Sequence, residues 1–152
     1  MDIAARTPLN LDEFKSTLRK HSLKATPQRL AVHEAMLDLG HASADQVSEW
    51  ISEDGRTSFT VASVYNILTQ MSQIGIYNKR LSSNNKMYFD VNTFNHIHLY
   101  DTVNNEYKDV IDDDLVGLIE SRIKSKRYRG FKVDGIDIQI LCHPSTKKNT
   151  TK

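Results

Sequence analysis

Cysteine is almost missing: Cys142 is the only one among 152 residues. A lone thiol can neither close an internal disulfide nor supply a cysteine-rich zinc site. That excludes the disulfide-stapled secreted class and makes the cytoplasm the expected compartment. No apolar run approaches the ~18 residues of a membrane-spanning helix, and residues 1–10 lack the apolar stretch of a secretory leader, so no membrane partner is expected. A further lack is local. Residues 55–89 contain no Asp or Glu, although 26% of the chain is charged. Residues 15–29 are likewise free of acids while carrying Lys15, Arg19, Lys20, Lys24 and Arg29. A net charge of only +1 excludes a generally basic protein. Phosphate contact, however, needs a local positive face and not a basic whole.

What is present fits one ordinary domain or two small ones. Residues 11–22 carry Leu11, Phe14 and Leu18 at helical spacing. Thr26-Pro27 is a helix start, with Thr26 able to cap and Pro27 suited to the first helical position; this helix ends at Gly40. Ser43 opens another helix, and Gln46 completes a capping box. Thr60 starts a further one, with Val61, Val64, Leu68 and Met71 on one face, stopping near Gly75. Residues 76–81 and 87–91 read as two strands around Ser82-Ser83-Asn84-Asn85.

Helices followed by a hairpin is the order of a winged helix-turn-helix, expected over residues 1–90. The helix from Thr60 shows Ser63, Asn66, Thr69 and Gln70 away from its apolar stripe, flanked by Tyr65. These are short polar groups that can reach base edges without an acid to repel phosphate. Lys79, Arg80 and Lys86 give the hairpin a basic wing.

After a hinge at residues 91–95, residues 96–143 read as a second, smaller α/β domain. Strands are expected over 97–103 and 107–111, a helix over 115–128 and a strand over 131–141. Asp112, Asp113 and Asp114 ahead of the helix, and Lys124, Lys126, Arg127 and Arg129 at its end, match the helix dipole. This unit is too small to bury a comfortable core alone. A second copy would complete it, through Leu115, Leu118, Ile119, Ile136, Ile138 and Ile140. Residues 144–152 are polar and expected to be disordered.

His96 and His98 lie two apart, so a strand points both to one face. Asp109 on the neighbouring strand, Asp90 at the end of the wing and His41, expected in a loop, complete a set of nitrogen and oxygen donors. Such a set suits Fe2+, Mn2+ or Zn2+, and five protein ligands fit iron or manganese better than tetrahedral zinc. A mononuclear metalloenzyme is the competing class. Five ligands leave little room for substrate, and the chain shows no phosphate loop or nucleophile–base pair, so it is read as no enzyme.

The segments Leu23-Lys24-Ala25-Thr26-Pro27-Gln28-Arg29, His41-Ala42-Ser43-Ala44-Asp45, Thr60 to Leu68, Tyr88-Phe89-Asp90, His96-Ile97-His98 and Gly130-Phe131-Lys132-Val133 resemble those of the ferric uptake regulator family. The likeness runs from Leu23 to Cys142. It is nearest to the peroxide-responsive members, because of Tyr65-Asn66 and of aspartates at both Asp90 and Asp109. The resemblance implies an α+β chain, with an N-terminal winged helix-turn-helix and a C-terminal dimerisation domain. It implies a repressor that binds an AT-rich inverted repeat of double-stranded DNA as a homodimer, with Lys24, Gln28, Arg29 and Thr60 joining the DNA face. It also implies a regulatory Fe2+ or Mn2+, replaceable by Zn2+ in purified protein, on His41, Asp90, His96, His98 and Asp109. Hydrogen peroxide would be the only small-molecule substrate, oxidising His41 or His96. Most members hold a structural zinc on two cysteine pairs. Asp101 and Asn104 stand where the first pair belongs and only Cys142 remains near the second, so no structural zinc is expected. The alternatives within the family are regulators answering to iron, manganese or haem, although no Cys-Pro haem motif is present.

Overall fold

The computed structural model describes residues 7–55, 59–82 and 84–145. It divides the chain into two compact units, residues 1–94 and 95–152. The chain is α+β, with the winged-helix order in the first unit and a three-stranded sheet with one helix in the second.

In the first unit, helix α1 (Leu11–Lys20) opens on a capping box. The Asn10 side chain accepts from the Glu13 N–H at 2.8 Å, and the Glu13 carboxylate accepts from the Asn10 N–H at 2.9 Å. Helix α2 (Pro27–Leu39) is capped by Thr26 and stops at Gly40, whose φ of +76° a side chain would resist. Strand β1 (His41–Ser43) follows at once, and Ser43 then caps helix α3 (Ala44–Glu53) in the expected box with Gln46. Helix α4 (Val61–Gln73) starts at Thr60, which accepts from the Ser63 N–H at 3.1 Å. Strands β2 (Asn78–Leu81) and β3 (Met87–Asp90) form the hairpin. Ser83 of the expected turn lies outside the described residues, as do residues 146–152 of the expected tail.

The sheet order is β1-β3-β2, antiparallel throughout. His41 therefore lies in a strand and not in the expected loop, because its backbone finds a partner in Asp90 on β3. Phe14, Leu18, Val32, Met36, Val47, Ile51, Val64, Leu68, Met71 and Phe89 are sealed in one core. His33 belongs to it. Its ring stacks on Phe14 at 4.1 Å, and its nitrogens meet the Tyr77 hydroxyl at 2.8 Å and the Leu9 carbonyl at 2.6 Å. A carbonyl only accepts, so Nε2 carries the proton and Nδ1 accepts from Tyr77. Burial holds this imidazole below its ordinary pKa and pushes the Tyr77 hydroxyl up.

In the second unit, strand β4 (Ile97–Asp101) pairs antiparallel with β5 (Glu106–Val110) and parallel with β6 (Ile138–Cys142), and helix α5 (Asp113–Lys124) connects β5 to β6. Two elements of this unit are shorter than the sequence suggests. The helix stops at Lys124 and not at residue 128, with Ser125 as its C-cap. The last strand begins at Ile138 and not at Phe131, because residues 131–137 find no ladder partner among the described residues. Among the described residues of this unit, Ile97, Tyr100 and Val116 are the buried apolar side chains, while Leu115, Leu118 and Ile140 are exposed.

Candidate metal centre and nucleic-acid interface

In the first unit, β1 and β3 set His41 directly opposite Asp90. His41 Nδ1 lies 3.4 Å from Asp90 Oδ2, and both side chains are largely withdrawn from solvent. The other oxygen, Oδ1, accepts from the Asn92 N–H at 2.8 Å, which fixes the carboxylate's orientation.

In the second unit, His98 sits opposite Asp109 across β4 and β5. Asp109 Oδ1 lies 3.0 Å from His96 Nε2 and 3.5 Å from His98 Nδ1. The two imidazoles stand 4.2 Å apart between ring centroids, so the two-residue spacing does turn them to one side. Tyr107 approaches the His98 ring edge-on at 6.0 Å.

Each unit thus builds an imidazole–carboxylate cluster of its own, with nitrogen and oxygen donors and no thiolate. Buried or half-buried imidazoles beside ionisable carboxylates fit a divalent cation, since the ion would supply the positive charge those carboxylates lack, and the second-unit histidines are already oriented by an acid.

Where the resemblance would place the first pair of zinc thiolates, Asp101 and Asn104 form a hydrogen-bonded turn. Asp101 Oδ1 accepts from the Val103 and Asn104 N–H groups at 2.9 and 3.1 Å, and Oδ2 from the Asn104 amide at 2.7 Å. The Asn104 side chain, with these backbone donors, holds the Asp101 carboxyl below its usual range. Thr102 donates twice to the Cys142 carbonyl, at 2.9 and 3.1 Å, clasping the end of β4 to that of β6. Sequence reasoning missed this clasp, and the Asp-x-x-Asn spacing of a side-chain-capped turn was the available signal.

On the expected DNA face, α4 buries Val64, Leu68 and Met71 and leaves Tyr65 and Asn66 exposed. Thr60 is occupied as the helix cap, and its hydroxyl also donates to the half-buried Ser63 at 3.0 Å. Arg29 is engaged internally. Its guanidinium donates to the Lys24 carbonyl at 2.7 Å and to Gln70 Oε1 at 3.0 Å, tying the start of α2 to α4. Lys24, Gln28 and Lys79 stand exposed, and Arg80 is half-buried. Lys86 pairs with Asp45 at 3.3 Å, both side chains in solvent. No helix among the described residues is long and apolar enough to cross a membrane.

Comparison with known proteins gives a consistent picture. The family model described as "Ferric uptake regulator family" matches residues 20–141. The "Peroxide-responsive repressor PerR" of Staphylococcus aureus (strain Mu50 / ATCC 700699) is 32% identical over 90 residues, covering 59% of this chain and 60% of that protein. The chain therefore spans about 60% of the length of that curated relative. Among solved structures, the Vibrio cholerae ferric uptake regulator matches with a TM-score of 0.73 at 22% identity, over 86% of this chain and 99% of that one. At that identity it shows the fold. A Campylobacter jejuni peroxide stress regulator matches with a TM-score of 0.63 at 26% identity, over 87% and 96% respectively.

Proposed function

The chain belongs to the ferric uptake regulator family, and from that premise we propose a homodimeric, metal-dependent transcriptional repressor that senses hydrogen peroxide. The observation that carries this reading is the pair of largely buried clusters, His41 with Asp90 and His96 and His98 with Asp109. All five side chains are ligands to one regulatory ion in this reading, Fe2+ or Mn2+, so metal binding draws donors from both units into a single clamp. The clamp orders the winged helix for double-stranded DNA carrying an AT-rich inverted repeat. Tyr65 and Asn66 meet base edges, while Lys24, Gln28, Lys79, Arg80 and Lys86 meet phosphate. Arg29, Thr60 and Ser63 hold the reading helix in place as much as they touch DNA.

Ferrous iron, when bound, supplies the electron that cleaves the O–O bond of peroxide. The protein's part is to hold His41 and His96 within reach of that chemistry, on a site that hydrogen-bonded carboxylates keep oriented. Oxidation of either imidazole removes one donor and loosens the clamp, which releases DNA. The similarity to a peroxide-responsive repressor at 32% identity supports this choice over a regulator that answers to metal supply alone.

The test is to expose the iron-loaded protein to peroxide and to sequence its peptides by mass spectrometry. One added oxygen on the peptide bearing His41 or His96, with loss of metal-dependent DNA retention, is the expected result. Retention abolished by chelation, with no oxygen gained after peroxide, assigns the protein to metal-supply sensing instead.

A further inference from the structure

The charge of the second unit is sharply segregated. Residues 95–145 hold seven cations and nine acids, and six of those cations fall within residues 121–133, where there is no acid at all. These are Arg122, Lys124, Lys126, Arg127, Arg129 and Lys132. A cationic run at a helix end is ordinarily explained by the helix dipole, whose influence fades within the last turn. The dipole accounts for Arg122 and Lys124 only, because α5 ends at Lys124. Lys126, Arg127, Arg129 and Lys132 lie beyond it, all exposed, and none of the four makes an ion pair among the described residues.

Their placement is defined by the backbone. The Lys126 N–H bonds to the Ile123 carbonyl at 3.1 Å, and the Phe131 N–H closes a turn on the Tyr128 carbonyl at 2.8 Å, with Gly130 at a φ of +83° as the turn requires. The cations stand along a cleft of about 920 Å³ between the end of α5 and the chain after the turn, whose lining includes two acids, Glu120 and Asp134. Glu120 is occupied by the Asn95 amide at 2.6 Å.

Unpaired like charges held this close repel one another. Such an arrangement is favourable when an extended polyanion neutralises several at once and releases its own condensed counterions. We infer that residues 124–132 form a second phosphate-contacting surface, distinct from the winged helix, that takes the backbone of duplex DNA. The choice of duplex as occupant rests on the repressor reading. A chain already tethered to duplex presents this surface with a high effective concentration of phosphate, and contacts to phosphate alone add affinity without sequence preference.

The experiment measures binding of the full-length, metal-loaded protein to a 60-base-pair duplex across a salt series, for the parent and for Lys126→Ala/Arg127→Ala/Arg129→Ala. These residues lie outside every helix and strand, so the circular dichroism spectrum should be unchanged. The expected result is a shallower slope of log affinity against log salt. The slope should fall by about 0.9 for each phosphate that is no longer neutralised, or about two to three in all. The charge-keeping set Lys126→Arg/Arg127→Lys/Arg129→Lys should restore the parent slope, and Arg129→Gln alone should remove about one phosphate's share. An unchanged slope in the triple alanine variant overturns the inference. Tighter binding to a 60-nucleotide single strand than to the duplex overturns the choice of occupant. If metal leaves parent binding unaltered while the variant still shows a shallower slope, the metal-gated repressor reading fails and this surface stands.

Discussion

In residues 7–94, four helices and a sheet enclose Phe14, Leu18, Val32, Met36, Ile51, Leu68, Met71 and Phe89 with no exposure at all. In residues 95–145 the apolar side chains that reach comparable burial are Ile97, Tyr100 and Val116, while Leu118 is 54% and Phe131 82% exposed. The first unit closes a core from its own sequence. The second has a sheet of three strands and one helix with apolar side chains standing open on it. Below a certain size a unit cannot bury enough surface to offset its lost chain entropy, and association is one remedy. The contrast teaches that stability in this chain comes from two sources. The first unit's is set by internal packing and should not depend on protein concentration, whereas the second unit's should.

The sharpest way to break that contrast is one leucine in each unit. Leu68→Ala removes a fully enclosed side chain from α4 and should cost roughly 2–5 kcal/mol of stability. Its lowered melting temperature should be the same at every protein concentration. Leu118→Ala removes an exposed one and should change single-chain stability by no more than about 0.5 kcal/mol, while shifting sedimentation toward monomer. If Leu118→Ala leaves the dimer intact, the open face of the second unit is not what a second copy covers.

Metal removal tests the same contrast from the side of the clasp. Thr102 joins the end of β4 to that of β6, and Asp101 and Asn104 hold the turn after β4, all through hydrogen bonds, so neither fold nor dimer should require a metal. A strong chelator should abolish DNA retention and leave helix content and sedimentation unchanged. His41→Ala should act in the same direction, weakening metal affinity at least roughly tenfold. Zinc that survives dialysis, and whose removal splits the dimer, would refute the hydrogen-bonded clasp.

These contrasts explain which features can be read from the sequence. Thr26-Pro27, Ser43 with Gln46, and Thr60 announce helix starts, because caps act over three residues and need no distant partner. His96 and His98 likewise come together in the fold, their ring centroids 4.2 Å apart, although β4 begins only at Ile97. Strand β1 is illegible in the sequence. Its three residues carry no period, and they are a strand only because β3 lies beside them. The end of α5 misleads because Lys and Arg favour helix and suit its C-terminus, yet the chain turns at Ser125. Residues 131–137 alternate like a strand but lack a ladder among the described residues of the single chain. The expected DNA face rests on residue type, which does not reveal that Arg29 is tied to Gln70 or Lys86 to Asp45.

A smaller effect follows from His33, which lies wholly within the first unit. Burial depresses its pKa in the folded chain, so the unfolded chain binds more protons as the medium acidifies. The stability contributed by the neutral imidazole is fully present above about pH 6.5, the ordinary histidine value. It is lost as pH falls through the lower folded value. Urea midpoints measured from about pH 7.5 down to 5 should therefore decline, and His33→Gln should flatten that decline while leaving metal affinity unchanged. An equal decline in both proteins would remove His33 as its source.

The smallest effect concerns the ion pair of Lys86 with Asp45, whose side chains are 52% and 60% exposed. Water screens such a pair and both side chains lose rotamer freedom in making it, so its net worth is about 0–1 kcal/mol. Asp45 also lies in the first turn of α3, where a carboxylate gains a few tenths of a kcal/mol from the helix dipole. Asp45→Asn should thus lower stability by less than about 1 kcal/mol. Its effect on DNA should have the opposite sign. Removing an acid beside the wing frees Lys86 for phosphate and takes away a repulsive charge, so duplex binding should tighten and its salt dependence steepen by up to about one phosphate's share. Lys86→Ala should then cancel the gain. If Asp45→Asn binds duplex no more tightly than the parent, Lys86 does not meet phosphate and the wing's contact with DNA rests on Lys79 and Arg80 alone.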